Sequence, residues 1–237
     1  MFKGFNTRQQ NGFTNLNFNG DYSAYGQSGC NFWLRADMGL NTTTNLGAVS
    51  RWVDIVSGVI FEQATAASQP RLLTSDAAYN NLPVIQDNDG VRSLVNQANQ
   101  AIGVRSLAFV ANYDTLLSRN ALISAAGSAY EISLGGSGTG INGVTFRLAT
   151  TPYTGTTEST SVKIVVISNG LLMVNGVVEN TNSAINLDLG TIRTLFFVAS
   201  QVSLFGKVAE IIGFSTSLNQ DQALALSTQL NQKYVIY

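Results

Sequence analysis

The chain has 237 residues, 45% of them hydrophobic and 11% charged, and its 13 basic residues against 14 acidic ones leave a net charge of -1. A chain this long can remove about 72% of its unfolded surface from water, so one core suffices without disulfides or a structural metal. The balanced charge offers no positive field to gather phosphate, which excludes bulk nucleic-acid binding. With no histidine and a single cysteine, Cys30, the commonest general base, the commonest metal ligand and any intrachain disulfide are missing. No cofactor and no metal site is therefore expected.

Residues 1–29 read as an N-terminal extension, in which Phe2, Phe5, Phe13, Phe18, Tyr22 and Tyr25 lie among Asn, Gln and Gly. Leu16 is the one branched aliphatic side chain up to residue 28. Rings without aliphatic neighbours do not build a core of their own. They either pack on the surface of the following domain or form an arm that docks on another molecule, because aromatic side chains supply large contact area at low entropic cost. These six are the candidate partner-binding residues, and their aromatic content argues against plain disorder. Lys3 and Arg8 are followed by Gln9, Gln10, Asn11 and Gly12 rather than an apolar stretch, so no signal peptide is read. No run approaches the ~20 apolar residues of a membrane-spanning helix, and synthesis in the cytosol without membrane insertion is expected.

From residue 30 to 237 a single domain is expected, with short apolar segments alternating with turn-forming clusters at the spacing of a sandwich or barrel. Strands are expected at 31–36, 49–54, 71–74, 83–86, 92–95, 106–111, 121–124, 130–134, 144–149, 162–168, 171–174, 177–179, 191–199 and 208–215. Asn169-Gly170 and Asn175-Gly176 tolerate the positive φ of tight hairpins, so 162–180 reads as a three-stranded meander. The C-terminus reads as a helix. Asn219 can cap it, Gln222 can return the hydrogen bond, and Ala223, Leu226, Leu230 and Tyr234 recur at a helical period, with Lys233 placed to suit the helix dipole. Alternation along the strands puts Phe32, Leu34, Leu107, Phe109, Ile164, Val166, Phe196, Val198, Ile211 and Phe214 in a core between two sheets.

Chemistry-bearing motifs are few. Gly138-Thr139-Gly140-Ile141-Asn142-Gly143 has the spacing of a dinucleotide loop, but the segment after it alternates like a strand where that motif needs a helix. Asp87-Asn88-Asp89-Gly90 offers oxygens suited to calcium without the rest of a calcium loop, and a polar turn is the better reading. The carboxylates, Asp37, Asp54, Glu179 and Glu210 among them, are scattered along the chain, whereas glycoside hydrolysis needs two facing one bond. Trp33 and Trp52 sit in apolar strands, where core packing outweighs stacking on a sugar.

Asn31-Phe32-Trp33-Leu34-Arg35-Ala36-Asp37, Val49-Ser50-Arg51-Trp52-Val53-Asp54, Ser57-Gly58 and Gln63-Ala64-Thr65-Ala66-Ala67-Ser68-Gln69-Pro70-Arg71-Leu72 resemble the opening of concanavalin A-like, laminin-G-like jelly-roll domains. Asn81-Leu82-Pro83-Val84-Ile85, the hairpin Leu172-Met173-Val174-Asn175-Gly176, the strand around Ile211 and the segment Leu230-Asn231-Gln232-Lys233-Tyr234 follow in that family's order. The resemblance implies an all-β fold: a two-sheet antiparallel jelly-roll sandwich with one C-terminal α-helix behind the N-terminal extension. The acidic Glu-x-Asp-x-x-Glu strand of the related glucanases does not occur. Together with the missing histidine and the absence of an activated thiol, this makes a protein that is not an enzyme the expectation. The family spans glycan-binding modules, accessory domains of enzymes and virion proteins. Low charge, a surplus of Asn, Gln, Thr and Ser, and no export signal favour a structural or adhesive protein on a virion surface, such as a bacteriophage capsid decoration or head-fibre protein. It would be made in the host cytoplasm and held to capsid or other virion proteins by the aromatic arm. The alternative is a carbohydrate-binding, lectin-like module with cell-surface glycans as partners.

Overall fold

The computed structural model describes residues 22–114, 120–125, 130–134, 144–148, 151–157, 159–196 and 206–237. Its strands are β1 Tyr22–Ala24, β2 Gln27–Arg35, β3 Arg51–Val53, β4 Ile60–Glu62, β5 Arg71–Asp76, β6 Leu82–Asp87, β7 Leu94–Val95, β8 Ser106–Tyr113 and β9 Asn120–Ala125. They continue with β10 Tyr130–Leu134, β11 Val144–Leu148, β12 Thr151–Thr154, β13 Lys163–Ser168, β14 Leu171–Val174, β15 Val177–Asn180, β16 Ile192–Leu195 and β17 Gly206–Phe214, and α1 spans Gln220–Tyr234. One sheet has the order β1-β2-β17-β8-β13-β14-β15, with β6 attached to β17 and β5 to β6; the other runs β12-β11-β10-β9-β16-β7-β4-β3. Every strand pairing among the described residues is antiparallel. The architecture is a two-sheet antiparallel β-sandwich of jelly-roll type with a C-terminal helix. Among the described residues, no helix is long and apolar enough to cross a membrane.

Two apolar clusters flank the first sheet. Between the sheets lie Phe32, Leu34, Trp52, Phe61, Leu107, Phe109, Val165, Phe196 and Ile211. Against α1 lie Trp33, Val110, Ile164, Val166, Ile212, Phe214, Leu226 and Leu230. Ile164, Val166 and Phe214 therefore belong to the helix side rather than the inter-sheet core that alternation assigned them. The reason is visible in β13, where all six residues are buried: a strand covered on both faces shows no polar alternation from which the inner side can be read. Val198 lies outside the described residues. The strands not anticipated, β1, β4 and β12, have three or four residues each, too few to show a period. The meander closes through Asn175 and Gly176 at φ 49° and 76°, the conformation that a two-residue hairpin of type I′ demands. Asn219 and Gln222 form the reciprocal capping box at the start of α1.

Strand β17 is the hub. One edge pairs with β8 along its length, and the other is shared between β6, at Gly206 to Val208, and β2, at Glu210 to Phe214. Val208 faces Ala111 and Glu210 faces Val110, so Ala209 is an extra residue that forms a bulge. Regular alternation would turn Glu210 toward the inter-sheet core. The bulge turns it to the helix side, where its fully buried carboxylate accepts hydrogen bonds from Trp33 Nε1 (2.6 Å), Tyr25 Oη (3.1 Å), Tyr234 Oη (2.6 Å) and Lys233 Nζ (2.7 Å). Burial, then the Glu210 charge, pushes the Tyr25 and Tyr234 hydroxyls above their ordinary range, so both stay protonated donors. Removing the acceptor strands four donors at once. Glu210→Ala should lower unfolding free energy by about 3–5 kcal/mol in urea denaturation; a loss under about 1 kcal/mol would show that the donors find other partners.

Candidate ligand groove

A forked sheet edge leaves space. Where the edge of β17 passes from β6 to β2, the two strands diverge, and Ala36, Asp37, Leu82, Pro83, Ala209, Lys233 and Tyr234 line a small cleft at the fork. It shares Ala36, Asp37 and Pro83 with a larger open groove of about 270 Å³ under the loop after β2, whose other walls include Met38, Leu40, Thr42, Thr43, Leu72 and Thr74. The walls mix methyl-bearing and thioether side chains with one carboxylate and three hydroxyls.

The carboxylate is held in place from beneath. Arg35 Nε and Nη2 donate to Asp37 Oδ1 (3.0 Å) and Oδ2 (2.6 Å). The Arg35 side chain is only 5% exposed, while that of Asp37 is 33% exposed. Behind it the guanidinium lies 5.6 Å from the centre of the Trp33 ring, whose Nε1 ends on Glu210. Burial acts to lower the Arg35 pKa, but the hydrogen bonds to Asp37 and the charges of Glu210 and Asp37 outweigh it and hold it above its ordinary value. The loop that roofs the groove is tied down at several points. Gly39 has φ 75°, and a Cβ there would meet the Val53 carbonyl oxygen at 2.4 Å, so no larger residue fits. Asn41 Oδ1 accepts from Ser50 N and Arg51 N, its Nδ2 donates to the Ala48 carbonyl, and Asn45 Oδ1 accepts from Thr74 N. The groove is thus formed in advance of any ligand.

Of the six candidate partner-binding residues, Phe2, Phe5, Phe13 and Phe18 lie outside the described residues. Tyr22 lies in β1, in register with Cys30. Tyr25 turns inward to Glu210 and packs 5.7 Å from Trp33, centre to centre. Trp33 and Trp52 are both buried, and the glycine-rich motif at 138–143 lies outside the described residues. Asp87 is fully buried and its oxygens accept from the backbone N–H groups of Asp89, Gly90 and Arg92, which makes the segment a polar turn. Asp54 likewise accepts from Trp33 N, Val56 N and the Ser57 hydroxyl; burial raises its pKa against the pull of these bonds. Among the described residues, no three His, Cys, Asp or Glu side chains gather to hold a metal ion. Asp37 escaped sequence reading because a carboxylate two residues from an arginine looks like any surface pair. The one signal was Arg35 closing the apolar run Phe32-Trp33-Leu34.

No protein family matches the chain, and no curated protein is similar to it. Solved structures share its fold. Domain 4 of AbnA, a GH43 extracellular arabinanase from Geobacillus stearothermophilus in complex with arabinotriose, is 12% identical with a TM-score of 0.58, over 84% of this chain and 98% of that one. An arabinofuranosidase complexed with arabinofuranosyl-alpha-1,2-xylobiose gives 10% and 0.59, over 90% of this chain and 61% of that one. Trypanosoma rangeli sialidase in complex with sialic acid gives 15% and 0.54, over 89% of this chain and only 34% of the enzyme. These likenesses correct the expectation that the chain is not an enzyme, because its fold is that of domains in glycoside hydrolases and a sialidase. The expectation failed for a physical reason. Glycoside hydrolysis runs on carboxylates rather than histidine, and spacing along a chain does not show which carboxylates meet across a sheet.

A buried lysine also lies inside the fold. Lys163, almost wholly buried, donates to the carbonyls of Ser159 and Ser161 and sits 4.7 Å from the centre of the Tyr113 ring. Burial lowers its pKa from 10.5 to about 8, with Glu179 pulling the other way. Between those values the unfolded chain holds a proton that the folded chain has released, so stability from this group rises with pH across that window. Cys30 acts oppositely above pH 9, because burial pushes its thiol up to about 12. The stability difference between wild type and Lys163→Met, followed by urea denaturation from pH 7 to 10.5, should therefore be flat below about 8 and then shift toward wild type. A difference constant over the whole range would contradict the assignment.

Proposed function

We propose that this chain is a glycan-binding β-sandwich module of the concanavalin A-like kind, with the Asp37 groove as its binding site. The observation that carries the reading is the preformed groove at the β2–β6 fork, lined by a held carboxylate, three threonines and apolar side chains. Sugars present the matching chemistry: hydroxyls to be fixed by a few placed polar groups, and C–H surface to be covered. The volume, about 270 Å³, suits a small ligand rather than a protein segment. Support from fold comes from the arabinanase domain observed with arabinotriose, 98% of which is matched by 84% of this chain.

The virion-surface reading draws on the aromatic segment 2–25. Its Tyr25 ring is engaged with Trp33 and Glu210 of the same chain, so the groove, not the arm, is the better founded contact surface. Screening the chain against immobilised arabinan, xylan, galactan and sialylated oligosaccharides should give saturable binding in the micromolar to millimolar range. Absence of any binding at millimolar sensitivity would remove the reading. Assaying the same panel for released reducing sugar would show whether a bound glycan is also cleaved.

A further inference from the structure

Burying an arginine is costly. Its guanidinium loses water, and replacing such a buried ion pair by apolar side chains is often neutral or even stabilising. Arg35 is nevertheless buried, and among the described residues its side chain donates to Asp37, a residue at the surface. Fold stability gives little reason to fix a surface carboxylate. Preorganised recognition does, since a binding group held in one orientation loses no rotamer freedom when ligand arrives. Each Asp37 oxygen accepts one bond from Arg35, while a carboxylate offers about four lone-pair sites. Two remain, the outer one on each oxygen, pointing away from the guanidinium, and Asp37 lines the groove.

Resting on the glycan reading above, we infer that Asp37 is the specificity-determining residue of the groove. It accepts hydrogen bonds from two hydroxyls of a neutral sugar, with Arg35 acting through it as a positioning residue. The outer lone pair of each Asp37 oxygen can take one sugar hydroxyl, while Met38, Leu40 and Pro83 offer apolar surface to the sugar's C–H face. The ligand class follows from charge. The groove's ionic groups among the described residues are the pairs Asp37 with Arg35 and, at the fork, Lys233 with Glu210, so none of these offers an unmatched cation to a carboxylate-bearing sugar. The exposed member of the first pair is the anion, which would repel one.

The test uses the full chain and the neutral oligosaccharide bound best in the panel above, with affinity measured by calorimetry. Asp37→Ala and Asp37→Asn should each weaken binding at least about tenfold, the worth of one charge-assisted hydrogen bond. Arg35→Met should weaken it while leaving the thermal midpoint unchanged or higher, a split that a merely structural arginine would not produce. A deoxy analogue lacking one of the two hydroxyls should bind wild type more weakly but Asp37→Ala no more weakly than the parent sugar. Glu62→Ala, on β4 where Glu62 pairs with Arg51 at 3.8 Å, should leave affinity unchanged. Neutral-sugar binding unaffected at Asp37, or preference for sialylated or uronate glycans, would overturn this inference and leave the glycan reading standing. Failure to bind any glycan would remove both.

Discussion

A charged carboxylate inside an apolar strand has to be matched wherever the chain puts it, and β17 places Glu210 at the junction of three parts of the molecule. The bulge at Ala209 decides the outcome. Without it the side chain would enter a core of Phe, Leu, Ile and Trp, where few donors could answer it. With it the carboxylate meets an indole N–H from β2, two phenols from the β1–β2 turn and α1, and the Lys233 ammonium. Such a site cannot be filled by halves, because an unanswered buried charge costs several kcal/mol. Helix, hairpin and sheet are therefore bound to a single arrangement by one residue, in addition to whatever their apolar contacts supply.

The central strands of the first sheet are buried on both faces, by the second sheet and by α1. That explains their composition: β8, β13 and β14 are apolar nearly throughout, and what polar character they have lies at strand ends. Ser106 and Ser168 at two such ends bond to each other and to carbonyls of 216 and 218, which fixes the chain as it leaves β17 for the helix. The second sheet has short strands on its β3 and β4 side, where Trp52 and Phe61 supply most of the burial.

Legibility in the sequence followed from how local each signal was. The Asn-Gly hairpins, the capping box and the long strands were readable because a turn, a cap or a run of branched residues needs only its own neighbours. The split between inner and helix-side clusters was not, since β13 has no polar face to break the symmetry. The candidate site was least legible of all. Asp37, Pro83 and Lys233 come from three distant segments, and they meet only because β17 changes partners in mid-edge, a fact of pairing that no residue announces. The expectation about catalysis was corrected by fold, shared with domains of glycoside hydrolases and a sialidase, and a fold of paired strands is not spelled out along the chain.

The bulge therefore has two consequences with one cause. It turns Glu210 to the helix, and it marks the point at which β6 gives way to β2 along the edge of β17. The second consequence opens the cleft; the first puts Trp33, and over it Arg35, in a fixed plane beside that cleft. Arg35 in turn sets the orientation of Asp37. A groove of this origin is built on sheet backbone and on a loop pinned at Gly39 and Asn41, not on a freely moving segment, and its polar group is oriented through contacts that also hold the fold together. Substitutions deep in the helix-side cluster are thereby coupled to the groove through a short physical chain, Glu210 to Trp33 to Arg35 to Asp37, in which each link is a hydrogen bond or a ring contact.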